Sequence, residues 1–329
     1  MLQQWAADAC GPLRLREEGA LVQAELGRTT TGRRANRSGF SRLAESLWKG
    51  RTGYLFIAVP MVSLGLFVFY PLLSAMWLSL HDYNGIKQPR WVGLDNYVGL
   101  LQEATFRRAM GNTVLFAVES LVLGVGIALI AALVIHRCTW GRGFFRAAFF
   151  LPVVTNMVAV SMLWKLIYQE TGILSGLLSL VGVAPRAWLN SPGTALHAVV
   201  LMSVWQGFGY SLIVFLAALG AIPKEYYEAA RVDGANGLQE FWNITLPGLR
   251  YPMLFLSITG VAGALMVFTQ VYVMTSGGPV DSTRTVMYDL FLRFTRLKLG
   301  EANAVGVMVF VFLLLFSLVN LRLIARTEK

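Results

Sequence analysis

Six stretches of this 329-residue sequence are apolar over the length that a lipid bilayer demands. A membrane-crossing helix needs about 20 mostly apolar residues, because the hydrocarbon core is about 30 Å thick and each helical residue rises about 1.5 Å. The stretches run at 53–80, 113–135, 144–168, 194–219, 251–274 and 302–324. In lipid, every backbone N–H and C=O must find its partner inside the protein, and segments of this length do so as helices. The expectation is an all-α integral membrane protein with six transmembrane helices. Composition agrees: 14% of the residues are charged, against about 25% in soluble domains. Pro60 and Pro71 are expected to kink or delimit the first stretch, and Pro152 to bend the third.

The polar remainder sets the orientation. Residues 1–51 read as a cytoplasmic tail and 52–326 as the membrane domain. No apolar core follows Met1, so the tail does not read as a signal peptide. Trp5, Leu13, Leu15, Leu21 and Val22 leave a short surface helix open beside an unstructured tail. With the N-terminus inside, the cytoplasmic segments hold eighteen Lys and Arg residues and the external loops nine. That bias favours both termini in the cytoplasm. The net charge of +10 comes from residues flanking apolar stretches, which points to topology and to no nucleic-acid partner. Cys10 and Cys138 give no disulfide frame or metal spacing, and His81, His136 and His197 lie far apart.

One polar segment between two membrane stretches reads as ordered structure: Glu225 to Pro252, EYYEAARVDGANGLQEFWNITLPGLRYP. Tyr226, Tyr227, Ala229, Ala230 and Val232 alternate with Glu225, Glu228 and Arg231 as a helix would. Gly234 is a helix stop, because glycine takes the left-handed C-terminal conformation without strain. A second short helix is expected from Asn236 through Gln239, Glu240, Phe241 and Trp242, with Leu246-Pro247 breaking it. Two readings fit the exposed aromatics: a hairpin resting on lipid headgroups, or a docking knob for a soluble partner.

The segment resembles the EAA loop of binding-protein-dependent ABC importer permeases: Glu-Ala-Ala, three residues, Gly, nine residues, Ile-x-Leu-Pro. Glu228, Ala229, Ala230, Gly234, Ile244, Leu246 and Pro247 match it, with Asp233 beside the glycine. The loop spans 220–250, and the orientation places it in the cytoplasm. Further stretches are similar to the carbohydrate-uptake branch, on the side of the maltose, lactose and glycerol-3-phosphate permeases. They are Phe150-Leu151-Pro152, Trp164, Thr171-Gly172-Ile173-Leu174, Trp188-Leu189, Trp205-Gln206-Gly207, Gln270 to Thr275, Gly277-Gly278-Pro279 and Ser282-Thr283-Arg284. Together they cover about residues 50–326. The resemblance implies the type I importer permease fold, in a bacterial or archaeal cytoplasmic membrane. It also implies coupling through Glu228, Ala229, Ala230, Asp233, Gly234, Leu246 and Pro247. The implied partners are a second, homologous permease, two ATP-binding cassette subunits and an extracytoplasmic solute-binding protein. ATP and magnesium would sit on the cassette subunits, with no cofactor on this chain.

Polar residues inside spans tend to line a cavity or pair with each other. Gln206, Gly207 and Tyr210 share one turn, and a sugar needs hydroxyl-matching groups beside an aromatic surface. The resemblance also aligns this stretch with sugar contacts of maltose-type permeases. Hydrogen bonding between helices is the alternative for Gln206 and Tyr210, and close helix packing is the alternative for Gly260, Gly263 and Ala264. The resemblance puts Ala264 where that family has a polar sugar contact. Asn156 completes the set of pathway candidates. Glu119 is an acid well inside a span, with Asn112 or Lys165 as expected partners or water around it.

Transport fits these features better than catalysis. No phosphate-binding Gly-x-x-x-x-Gly-Lys-Ser/Thr loop is present in the sequence, so an ATP-driven role requires a separate motor. No paired acids or nucleophile–base arrangement suggests an enzyme. A self-contained secondary carrier explains six spans but leaves the EAA-like segment without a use.

Overall fold

The computed structural model describes residues 51–138 and 141–327, so Cys10 and the tail expected at 1–51, apart from Arg51, lie outside the described residues. Contacts divide the chain into two units, Met1–Val68 and Phe69–Lys329. The described part of the first is helical: α1 (Arg51–Leu64), with Pro60 inside it, leads into a π-helical turn (Gly65–Phe69).

The second unit begins with α2 (Tyr70–Leu78) and a two-residue pairing of β1 (His81–Asp82) with β2 (Arg90–Trp91). Then follow α3 (Asp95–Gln102), α4 (Ala104–Arg137), α5 (Arg142–Phe150), α6 (Met157–Ile167), α7 (Ile173–Ser179) and α8 (Ala195–Ala221). Three short helices come next: α9 (Lys224–Val232), α10 (Gly237–Glu240) and α11 (Leu246–Gly248). The chain closes with α12 (Arg250–Leu265), α13 (Thr269–Met274), α14 (Val286–Thr295) and α15 (Leu299–Thr327).

Four helical stretches among the described residues are long and apolar enough to cross a membrane: Phe56–Leu78, Ala104–Arg137, Ala195–Ala221 and Leu299–Arg322. Two bent pairs also pass by length and composition, which gives up to six if each pair is one span: Arg142–Val154 with Met157–Ile167, bent by 97°, and Gly237–Gly248 with Arg250–Leu265, bent by 60°. The all-α, multi-span expectation is met. The 34 residues of α4 measure about 50 Å at 1.5 Å per residue, so this helix exceeds the bilayer and outruns the expected 113–135.

The third span breaks at Pro152, in a 3₁₀ turn (Leu151–Val154). Side chains satisfy the backbone that this break releases. Asn156 Oδ1 accepts from the N–H groups of Val158 (2.9 Å) and Ala159 (3.3 Å), capping α6. Gln206 Nε2 on α8 donates to the Thr155 carbonyl at 3.0 Å. The fifth stretch corrects the sequence reading, which expects one helix over 251–274. It stops at Leu265 and restarts at Thr269. The buried Thr285 hydroxyl takes the freed Val267 carbonyl at 3.0 Å. At the same break, Phe268 stacks on Tyr272 at 5.5 Å and meets Phe291 at 5.1 Å.

The core forms where α4 and α8 run together. Fully buried Ala128 and Ala132 face Leu212, Phe215 and Leu216, so small side chains on one helix admit large ones from the other. A second cluster packs Val199, Met202 and Tyr168 around Val271 and Met274.

A buried ion network, absent from the sequence reading, ties four segments together. Asp289 is fully buried, and it accepts from Arg284 Nε at 2.9 Å and from Arg293 Nε at 2.6 Å. Arg293 also reaches Glu103 at 2.6 Å and Glu301, while Arg284 holds Asp281 at 3.2 Å. The α3–α4 junction, the 281–285 loop, α14 and α15 thus share one set of charges. Burial pushes the Glu103 carboxyl up, but hydrogen bonds from Thr105 and Arg293, with the arginine charge, hold it below its ordinary range. The Glu103 link is therefore complete at neutral pH and is lost as pH falls through that lowered value. Removing one partner of such a buried set strands the others. Asp289→Ala is expected to cost about 3–5 kcal/mol, read as a lowered unfolding temperature of the purified protein in detergent. An unchanged transition would contradict this role.

Candidate functional site

The 224–250 segment opens with two short helices, α9 and α10, joined by a tight turn. Helix α9 ends as the glycine predicts: Gly234 has φ +80°, and the Ala235 N–H returns to the Ala230 carbonyl at 2.9 Å. Asn236 then opens α10 with a reciprocal cap. Its Oδ1 accepts from Gln239 N at 3.0 Å, and Gln239 Oε1 accepts from Asn236 N at 2.8 Å. The expectation that Leu246-Pro247 ends this helix is corrected. A π-helical turn (Phe241–Thr245) leads into α11, where Pro247 occupies the first turn and its missing N–H costs no hydrogen bond. The change of direction falls at Leu249, before α12.

Two bonds clamp the helices to each other: Arg231 Nε donates to Glu240 Oε1 at 3.1 Å, and the Tyr227 and Thr245 hydroxyls meet at 3.0 Å. The first is a surface pair worth about 0–1 kcal/mol; the second joins a half-buried tyrosine to a buried threonine. Outside this clamp Val232 is 87% exposed, Leu238 68% and Trp242 58%. Apolar side chains at a tip this exposed suit a partner surface.

The motif residues flank two grooves. Ala229, Ala230, Asp233 and Pro247 line a cavity of about 670 Å³ with Tyr226 and Ile244. Glu228 lines another of about 580 Å³ with Arg137 and Lys224. Leu246 is half-buried beside them.

Between the spans, a cavity of about 270 Å³ gathers four of the pathway candidates, Gly207, Gly260, Gly263 and Ala264. Ser120, Ser203, Ser211 and Gln270 supply its polar lining. Ser203 and Ser120 return their hydroxyls to their own helices, at the Val199 and Phe116 carbonyls. Ser211 and Gln270 make no side-chain hydrogen bond to another described residue. The other three candidates lie elsewhere. Gln206 is buried on the third-span break with Oε1 unpaired, Asn156 caps α6, and Tyr210 is 44% exposed outside the cavity. Glu119 pairs with neither expected partner. His197 Nδ1 meets its carboxylate at 2.9 Å, across 78 residues of sequence. Asn112 instead donates to the Asp281 and Arg284 carbonyls, and Lys165 to Val273.

Gly209 and Gly263 separate packing from open space. A Cβ on Gly209 would sit 2.0 Å from the Phe149 carbonyl oxygen, whereas one on Gly263 meets nothing within 4 Å. Gly209→Ala is expected to destabilise by about 1–3 kcal/mol, and Gly263→Ala to leave the unfolding temperature in place. Equal shifts in the two variants would contradict this geometry.

Comparison with known proteins gives one consistent picture. Residues 124–329 match the family model described as binding-protein-dependent transport system inner membrane component. A probable ABC transporter permease protein of Bacillus subtilis, YurN, is 36% identical over 276 residues, covering 82% of this chain and 94% of that protein. The trehalose/maltose transport system permease protein MalF of Thermococcus litoralis is 33% identical over 276 residues, covering 83% and 94%. In the solved structure of a bacterial ABC transporter involved in the import of the acidic polysaccharide alginate, one chain superposes with a TM-score of 0.75. That chain is 25% identical, and the match covers 88% of this one and 100% of that one.

Proposed function

The chain belongs to the family of binding-protein-dependent transport system inner membrane components, and on that premise we propose that it is a permease subunit of an ATP-driven importer for sugars or sugar-like solutes. An external binding protein delivers the solute to the outer mouth. A second, related permease completes the pathway, because six spans make half of one. Two ATP-binding cassette subunits hold ATP and magnesium in the cytoplasm, and this chain contributes no nucleotide site. Both termini and the 220–250 loop face the cytoplasm, and residues 52–326 form the membrane domain, preceded by a polar tail.

The observation that supports this reading best is the clamped helix pair at 224–248, with its apolar tip exposed and the seven motif positions around it. A knob that transmits force must be stiff. The caps at Gly234 and Asn236 and the Tyr227–Thr245 bond provide that stiffness locally. In this reading, ATP binding closes the cassette subunits, and α9 carries their motion through Glu228, Ala229, Ala230 and Asp233. Helix α12, separated from Pro247 by Gly248 and Leu249, moves with it. The inner cavity at Gly207, Gly260, Gly263 and Ala264 then opens alternately to either side. Its lining carries no charged side chain, which suits a hydroxyl-rich solute. Gln206 and Asn156 act on this pathway indirectly, by holding the broken third span, and Tyr210 lies outside the cavity.

The test is the complete complex in nanodiscs, screened for ATPase stimulation with a panel of neutral and uronic-acid mono- to trisaccharides plus binding protein. At least one sugar is expected to stimulate hydrolysis. Glu228→Ala and Gly234→Pro are expected to lower sugar-stimulated uptake by about tenfold, equivalent to about 1.4 kcal/mol in the barrier to transport, while membrane insertion is unchanged. No stimulation by any sugar would overturn the solute class, and full uptake in both variants would overturn the coupling role.

A further inference from the structure

A second polar cavity, of about 710 Å³, lies away from the loop and the inner cavity, among the ends of α6 and α13 and the segment before α8. Lys165, Gln169, Glu170, Thr171, Asn190 and Ser276 bring their polar atoms to it. Its frame is fixed by bonds that leave much of this lining unused. The Tyr168 hydroxyl is anchored on the Ala198 carbonyl at 2.9 Å, and Trp188 N donates to the Tyr168 carbonyl at 3.2 Å. Ser175 donates to the carbonyls of Gln169 and Arg186, at 3.2 and 3.1 Å. On the opposite wall, Thr275 and Thr283 meet at 2.7 Å and Thr283 holds the Gly278 carbonyl at 2.8 Å. The side chains of Gln169, Glu170, Thr171 and Asn190 make no hydrogen bond to another described residue.

Exposed amides and hydroxyls on walls fixed by these bonds offer donors and acceptors to a ligand that both donates and accepts hydrogen bonds. The charged groups in the lining, Lys165 and Glu170, are of opposite sign, so an ionic solute gains no net attraction. We propose that this outer cleft binds a neutral, hydroxyl-rich solute, as a waiting site between the external mouth and the inner cavity. The site rests on the import reading above.

The test uses the full chain with Cys10 and Cys138 changed to serine, carrying Ala187→Cys, a lining residue with no polar side chain to lose, and assembled with its partner subunits in nanodiscs. Reaction with a membrane-impermeant maleimide is timed without binding protein, with and without the sugar that stimulates the complex's ATPase most. Sugar at about four times its Kd is expected to slow labelling about fivefold by simple occupancy, and Gln169→Ala to remove that protection. Labelling of Val280→Cys, 77% exposed and outside the cleft, is expected to be unaffected. Unchanged labelling at 187 overturns the outer site while the ATPase response leaves the import reading standing. Protection by sugar-free binding protein alone overturns it too, marking the cleft as a docking surface. Absence of any stimulating sugar overturns the solute class, and the outer site with it.

Discussion

Inside a bilayer a backbone carbonyl or amide cannot turn to water, so every interruption of a helix needs a partner from within the protein. This chain interrupts two of its membrane stretches and supplies the partners. Gln206 takes the Thr155 carbonyl, Asn156 takes the first amides of α6, and Thr285 takes the Val267 carbonyl. These bonds let polar, irregular backbone exist at membrane depth. They also explain why two of the most polar residues within the spans, Gln206 and Asn156, are absent from the cavity lining. Each is occupied with backbone, and the lining falls to serines, glycines and Gln270.

The breaks connect stiffness to function. The third-span break is held by α8, which packs along α4 and leads through Pro223 directly into α9. The fifth-span break is held by the 281–285 loop, which belongs to the same charge network as α14 and α15. A displacement applied at α9 or α12 therefore meets helices whose irregular points are already pinned. In the proposed mechanism, that is how a push on an exposed knob reaches a cavity between the spans without melting the helices along the way.

Much of this was legible in the sequence wherever the physics is local. Span positions follow from runs of apolar residues, the turn at Gly234 from glycine's freedom at positive φ, and the break at Pro152 from a missing amide. Pro247 was harder to read. A proline in the first turn of a helix is tolerated, and after the π turn Pro247 stands in the first turn of α11. Pairings across long sequence distances were not legible. Nothing near Glu119 announces His197, and Asp289 reads as an ordinary loop acid until α14 buries it between two arginines. The break at 266–268 depends on Thr285 and on the aromatic rings of α14, and no pattern within 251–274 carries that information. The inner cavity was half visible: the small residues on the fourth and fifth spans were identifiable, but which polar neighbours face them is decided by tertiary packing.

The account stands or falls on what the exposed tip of α9 touches. With Val232→Cys in the full complex, a short bifunctional thiol cross-linker added to the cytoplasmic side should join this chain to a nucleotide-hydrolysing subunit, in a yield that changes when ATP binds. Reaction of that cysteine from the external side, or cross-links to lipid-exposed or external proteins alone, would contradict it.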